Sequence, residues 1–166
     1  MSVQELARRV QRHAAITTAE THVSGHADDG ATAANNIDDA ANGNDAHRSS
    51  YTDGANTGPG GTVALDEEML EGMLTLADEY NFRVSEIAGG VHGDRSRHYA
   101  GVAFDIDRLN QRAVNSSNPD FQAFMTRGTE LGATEVLGPG DASHETHVHL
   151  AWPRNLTADV QKDDAY

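Results

Sequence analysis

Between residues 24 and 61 the chain carries almost no large apolar side chain. Gly, Asn, Asp, Ala, Ser and Thr dominate there, and Gly58, Pro59, Gly60 and Gly61 close the stretch with a cluster of turn formers. Such a composition buries too little apolar surface to found a core. The core must come mainly from the residues after it, so residues 1–62 read as a loop-rich N-terminal extension. Two short helices are expected in it: one over residues 3–14 (VQELARRVQRHA), and one near residues 31–41 (ATAANNIDDAA). Residues 63–154 read as the folded domain and 155–166 as an acidic C-terminal tail. A chain of 166 residues has room for one domain with a real core.

Within 63–154 the apolar residues change period in an orderly way. Leu65, Met69, Leu70, Met73, Leu74, Leu76 and Ala77 recur at helical spacing, and Asp66, Glu67 and Glu68 occupy the first turn, where the helix dipole favours negative charge. Phe82, Val84 and Ile87 then mark a strand that Gly89-Gly90 stops. From Val102 to Asp107 the chain alternates: Val102, Phe104 and Ile106 point one way, Ala103, Asp105 and Asp107 the other. Asn118-Pro119-Asp120 opens a second helix through Phe121, Phe124, Met125 and Leu131, ended by Gly132. A strand over 133–137, a Gly-Pro-Gly-Asp turn at 138–141 and a last strand over 147–152, stopped by Pro153, complete the order. This predicts an α+β fold, a mostly antiparallel sheet flanked by helices.

Composition narrows the chemistry. The chain has no cysteine, so any metal must be held by His, Asp or Glu. Its 26 acidic residues against 12 basic give a net charge of −14, and Lys162 is its one lysine. Such a surface repels nucleic acid and acidic membranes, and acidity with lysine loss points to a high-salt environment, where repulsion is screened. No apolar run approaches the roughly 18 residues of a membrane span. The N-terminus lacks the apolar centre of a signal peptide. The expected location is therefore extracellular or virion-associated, the second needing no signal.

Two segments carry candidate chemistry: Ser96-Arg97-His98-Tyr99-Ala100-Gly101-Val102-Ala103-Phe104-Asp105, and His144-Glu145-Thr146-His147-Val148-His149. In a strand, His147 and His149 share one face, roughly 6.5–7 Å apart. Asp105 interrupts a strand that otherwise reads as buried, and a carboxylate there needs a partner or a metal. His98 lies close before it, with Gly101 letting the backbone turn between them. Two His and one Asp leave a fourth tetrahedral position open to water, as in catalytic zinc sites.

Together the two segments resemble the superfamily of lysostaphin-type peptidases, D-Ala-D-Ala metallopeptidases and the hedgehog domain. The first motif, Ser96-x-His98-x-x-Gly101-x-Ala103-x-Asp105, is closest to the D-Ala-D-Ala carboxypeptidase and phage endolysin branch, and the ending His147–Pro153 fits the superfamily's last strand. The resemblance runs from about residue 65 to 153. It implies one Zn2+ held by His98, Asp105 and His149, with His147 beside the metal-bound water. The carboxypeptidase branch places a catalytic Glu three residues before the last ligand. Thr146 stands there, so Glu145, which an extended strand would turn toward His147 and His149, is the second candidate base. Members often carry an Arg in a turn before the Ser. Here the turn reads Gly89-Gly90-Val91-His92, and His92 or Arg95 is the candidate substitute. Ser96 is read as orienting the loop.

The function implied is a zinc metallopeptidase, a hydrolase acting on cell-wall or envelope peptides, with other virion proteins as further partners. The alternative is a non-catalytic zinc module of a virus tail or baseplate. Because a charge of −14 repels itself at low ionic strength, the melting temperature is expected to rise clearly from dilute buffer to molar KCl. A melt indifferent to salt would assign the acidity another cause.

Overall fold

The computed structural model describes residues 1–154. The expected acidic tail, 155–166, lies outside the described residues. The helices are α1 (Val3–Arg12), α2 (Ala33–Ala41), α3 (Glu67–Ala77) and α4 (Phe121–Glu130). The strands are β1 (Ile16–Thr18), β2 (Ala46–His47), β3 (Thr52–Asp53), β4 (Asn56–Thr57), β5 (Thr62–Val63), β6 (Phe82–Glu86), β7 (Ala103–Leu109), β8 (Arg112–Ala113), β9 (Glu135–Leu137) and β10 (Val148–Ala151). The described residues form an α+β fold: four helices and a six-stranded mixed sheet, ordered β1-β6-β7-β10-β9, with β8 on β7. Every pairing in that sheet is antiparallel except β1 with β6.

The helices start where their caps dictate. Ser2 and Glu5 form a reciprocal capping box on α1, Thr32 and Asn35 one on α2. Asp66 accepts the Met69 N–H at 2.9 Å to begin α3. The buried faces follow the periodicity: Met69, Leu70, Met73 and Leu76 of α3 are fully enclosed, as are Phe104 and Ile106 of β7 and Leu150 of β10.

Residues 1–62 pack into this same core. Leu6, Ala7 and Val10 of α1 and Ile37, Ala40 and Ala41 of α2 belong to the cluster that includes Met73 and Val84. The small alanines of α2 let α1 lie against it, so a segment poor in large apolar residues is still ordered. β1 extends the sheet beyond β6.

Trp152, fully buried after β10, stacks at 5.9 Å on Phe104, and its indole N–H donates to the Leu131 carbonyl. A Cβ added at Gly72 of α3 would lie 2.3 Å from its ring. Overpacking so close outweighs the gain of about 1 kcal/mol from replacing a helical glycine. Gly72→Val is expected to lower unfolding free energy by about 2 kcal/mol or more in urea melts. Native stability in that variant would contradict this helix–sheet contact.

Candidate metal centre

Strand alternation sends Phe104 and Ile106 into the core and Asp105 to the opposite face of β7. Register then builds a row across three strands: His149 of β10 lies opposite Asp105, and Glu86 of β6 lies opposite Asp105 on its other side. His98 arrives from a 3-10 turn, Arg97–Ala100, that precedes β7. Ser96 caps that turn, its hydroxyl accepting the His98 N–H at 3.2 Å. Gly101 leaves the turn at φ +74, and a Cβ there would sit 2.3 Å from the Ala64 carbonyl oxygen. Only glycine combines that backbone with that approach.

Three ligand-type atoms converge. His98 Nε2 lies 3.1 Å from Asp105 Oδ1. His149 Nδ1 lies 2.9 Å from the same oxygen and 3.1 Å from His98 Nε2. Ligands about 2.0 Å from a tetrahedral zinc stand about 3.3 Å apart, so this triangle is close to one face of such a site. The far sides of both rings are fixed. His98 Nδ1 donates to the Ile87 carbonyl at 2.6 Å, and His149 Nε2 meets Glu135 Oε1 at 2.6 Å. Those partners aim Nε2 of His98 and Nδ1 of His149 at the convergence point, as carboxylates and carbonyls do for metal-bound imidazoles.

His92 completes a second grouping. Its ligand atom and those of His98 and Asp105 lie within 4.8 Å of one another, so these three could also hold a metal ion. His92 stacks on His98 with ring centres 4.0 Å apart, and its Nε2 donates to the Gly89 carbonyl at 2.9 Å. A stacked ring presents its face to its neighbour, whereas His149 presents a nitrogen. The triangle of His98, Asp105 and His149 is therefore the tighter fit.

Charge at the centre is balanced by proximity. Burial pushes Asp105 up, but the two imidazoles against it hold its carboxyl well below the usual range. Burial pulls His149 down, yet its bonds to Asp105 and Glu135 raise its pKa to about 9. Without a metal a proton on His149 thus supplies the positive charge; a divalent cation would displace it. His147 Nε2 stands 3.9 Å from Asp105 Oδ2, partly open to solvent, and burial lowers its pKa. It is a neutral acceptor beside the centre.

A cleft of about 510 Å³ opens on this face, lined by Asp105, His92, His147, Thr146, Glu86 and Arg83, among others. Glu145 does not join them. It sits in an exposed turn with Thr146, and the extended strand that would have faced it toward the histidines begins only at Val148. Arg95 lies in the turn before the 3-10 segment and does not line the cleft. Burial drops the pKa of His92 to about 3, so it is no cation. Positive charge in the cleft comes instead from Arg83, held by Asp107 at 2.7 and 2.8 Å, and from Arg108. Arg83 was discoverable from its place between the core residues Phe82 and Val84. Glu135 carried no local signal, lying 14 positions from its partner His149.

Comparison of the chain with family models, with curated proteins and with solved structures returned no match.

Removing a ligand should separate the roles. His98→Ala and Asp105→Ala are expected to abolish stoichiometric metal binding, His147→Ala to retain it, and Glu135→Gln to weaken zinc about 10–100-fold. Calorimetric titration with zinc measures all four; equal loss in every variant would refute the division.

Proposed function

We propose that this chain is a zinc-dependent peptide hydrolase of the lysostaphin, D-Ala-D-Ala metallopeptidase and hedgehog superfamily, acting on envelope or cell-wall peptides in high salt. The observation that carries the reading is the convergence of His98 Nε2, Asp105 Oδ1 and His149 Nδ1 within 3.1 Å, with Asp105 lining an open cleft. It supports the motif resemblance independently, because sequence spacing does not dictate which nitrogen of each ring faces inward.

In this reading His98, Asp105 and His149 hold one zinc ion, which when bound acidifies a water and polarises a carbonyl. His147, neutral and beside the centre, receives the water's proton. Arg83 and Arg108 bring positive charge to the cleft along which a peptide would lie. Thr146 occupies the position of the branch's catalytic Glu, so proton transfer rests on the imidazole.

The test incubates zinc-loaded protein in molar KCl with peptides and glycoproteins from high-salt envelopes, beside His147→Ala. New amino termini from the native protein, reduced about 100-fold or more in the variant, are expected. Intact zinc-bound protein that cuts nothing would replace this reading with a structural zinc module of a virion.

A further inference from the structure

Hydrolysis of an amide also needs a proton for the departing nitrogen, and a buried trio beside the metal centre is built to supply one. Glu86 occupies the next place in the row His149–Asp105–Glu86, one strand beyond Asp105 and on the flank opposite β10. It is 1% exposed, yet it lines the cleft over Asp105 and an adjoining hollow of about 250 Å³. His22, with no exposed side chain, donates from Nδ1 to both carboxylate oxygens of Glu86 at 2.8 and 3.1 Å. Its Nε2 lies 2.7 Å from Asp29 Oδ1, and Asp29 is 27% exposed. The trio therefore runs from the cleft wall to solvent. A carboxylate accepts about four hydrogen bonds. Glu86 receives those from His22 and a long one, 3.4 Å, from the Val23 N–H, which leaves capacity toward the cleft.

A buried set of charges is seldom the most stabilising choice for an interior; apolar residues of like volume do as well or better. This one joins residues 64 positions apart and ends in the cleft. We propose that Glu86 is the proton donor to the leaving amine, with His22, oriented by Asp29, as the positioning residue that holds the proton Glu86 passes on. The proposal rests on the peptidase reading and assigns that reaction its acid.

The protons balance. Water oxygen bonds to the carbonyl carbon and one water proton passes to His147. As the C–N bond breaks, its electron pair stays on nitrogen. His22 Nδ1 passes its proton to a Glu86 oxygen and Glu86 passes that proton to the nitrogen, so Glu86 ends ionised and His22 neutral, with its Nε2–H still on Asp29. After the products leave, cleft water returns a proton to His22 Nδ1 by way of Glu86, and His147 releases its proton to solvent. One water has been added across the bond. The trio is suited to this role, because burial raises the Glu86 pKa, and His22, pulled down by burial, is raised to about 9 by its carboxylates and so stores a proton at neutral pH. The charged or titratable groups around the trio include His98, near Glu86, Asp105, paired with Glu86 across the strands, His92 and Asp53, which line the adjoining hollow with it, and Tyr51, whose ring lies 5.6 Å from His22.

Leaving-group dependence tests the proposal. The full-length, zinc-loaded native protein and Glu86→Gln are assayed on a peptide the native protein cuts and on the p-nitrophenyl ester of the same acyl group, whose leaving group needs no proton. Amide turnover in the variant is expected to fall about 100-fold or more while ester turnover changes less than about threefold. Zinc content should be unchanged, and the NMR titration of His22 should move from about 9 to lower pH. Equal loss on both substrates, or an unchanged amide rate, would overturn the role of Glu86 alone. Native protein that cuts neither substrate overturns the peptidase reading, and this role with it.

Discussion

The structure depends on one buried carboxylate. Asp105 is 6% exposed in the middle of the central strand β7, between core residues Phe104 and Ile106. An ion in that place would cost several kcal/mol without compensation. Compensation arrives from two directions, His98 off the 3-10 turn and His149 off β10, each meeting Oδ1 within 3.1 Å. Those imidazoles are in turn fixed by the Ile87 carbonyl and Glu135. The sheet order that brings β10 beside β7, the glycine turn at Gly101 and the placement of β9 all serve contacts that end on this oxygen.

Much of the fold was legible because apolar periodicity was strong where packing is tight. The seven apolar positions from Leu65 to Ala77 could only be a helix face, and Val102–Asp107 only a strand with two unlike sides. The same alternation is enough to put Asp105 off the core face. The N-terminal segment was harder. Of its helices, α2 packs mainly through alanines, which carry little hydrophobic signal, and β1 is three residues with a single large apolar side chain. Its tie to the cleft, His22 on Glu86, spans 64 residues and has no local signature.

The site divided in the same way. His98, Asp105, His147 and His149 sit in motifs short enough to be read along the chain. The groups that orient and charge them do not. Glu135, Glu86 and Arg83 are brought in by strand pairing. Glu145 failed for the converse reason: its expected orientation assumed an extended backbone, and the chain turns at Glu145-Thr146 before β10 starts.

The central claim is that His98, Asp105 and His149 form the inner shell of one zinc ion. Zinc K-edge X-ray absorption on the protein loaded with one equivalent addresses it directly. The expected spectrum has a four-coordinate shell of nitrogen and oxygen at about 2.0–2.1 Å, with outer scattering from two imidazoles. Six oxygens without imidazole scattering, the signature of zinc on surface carboxylates, would contradict it.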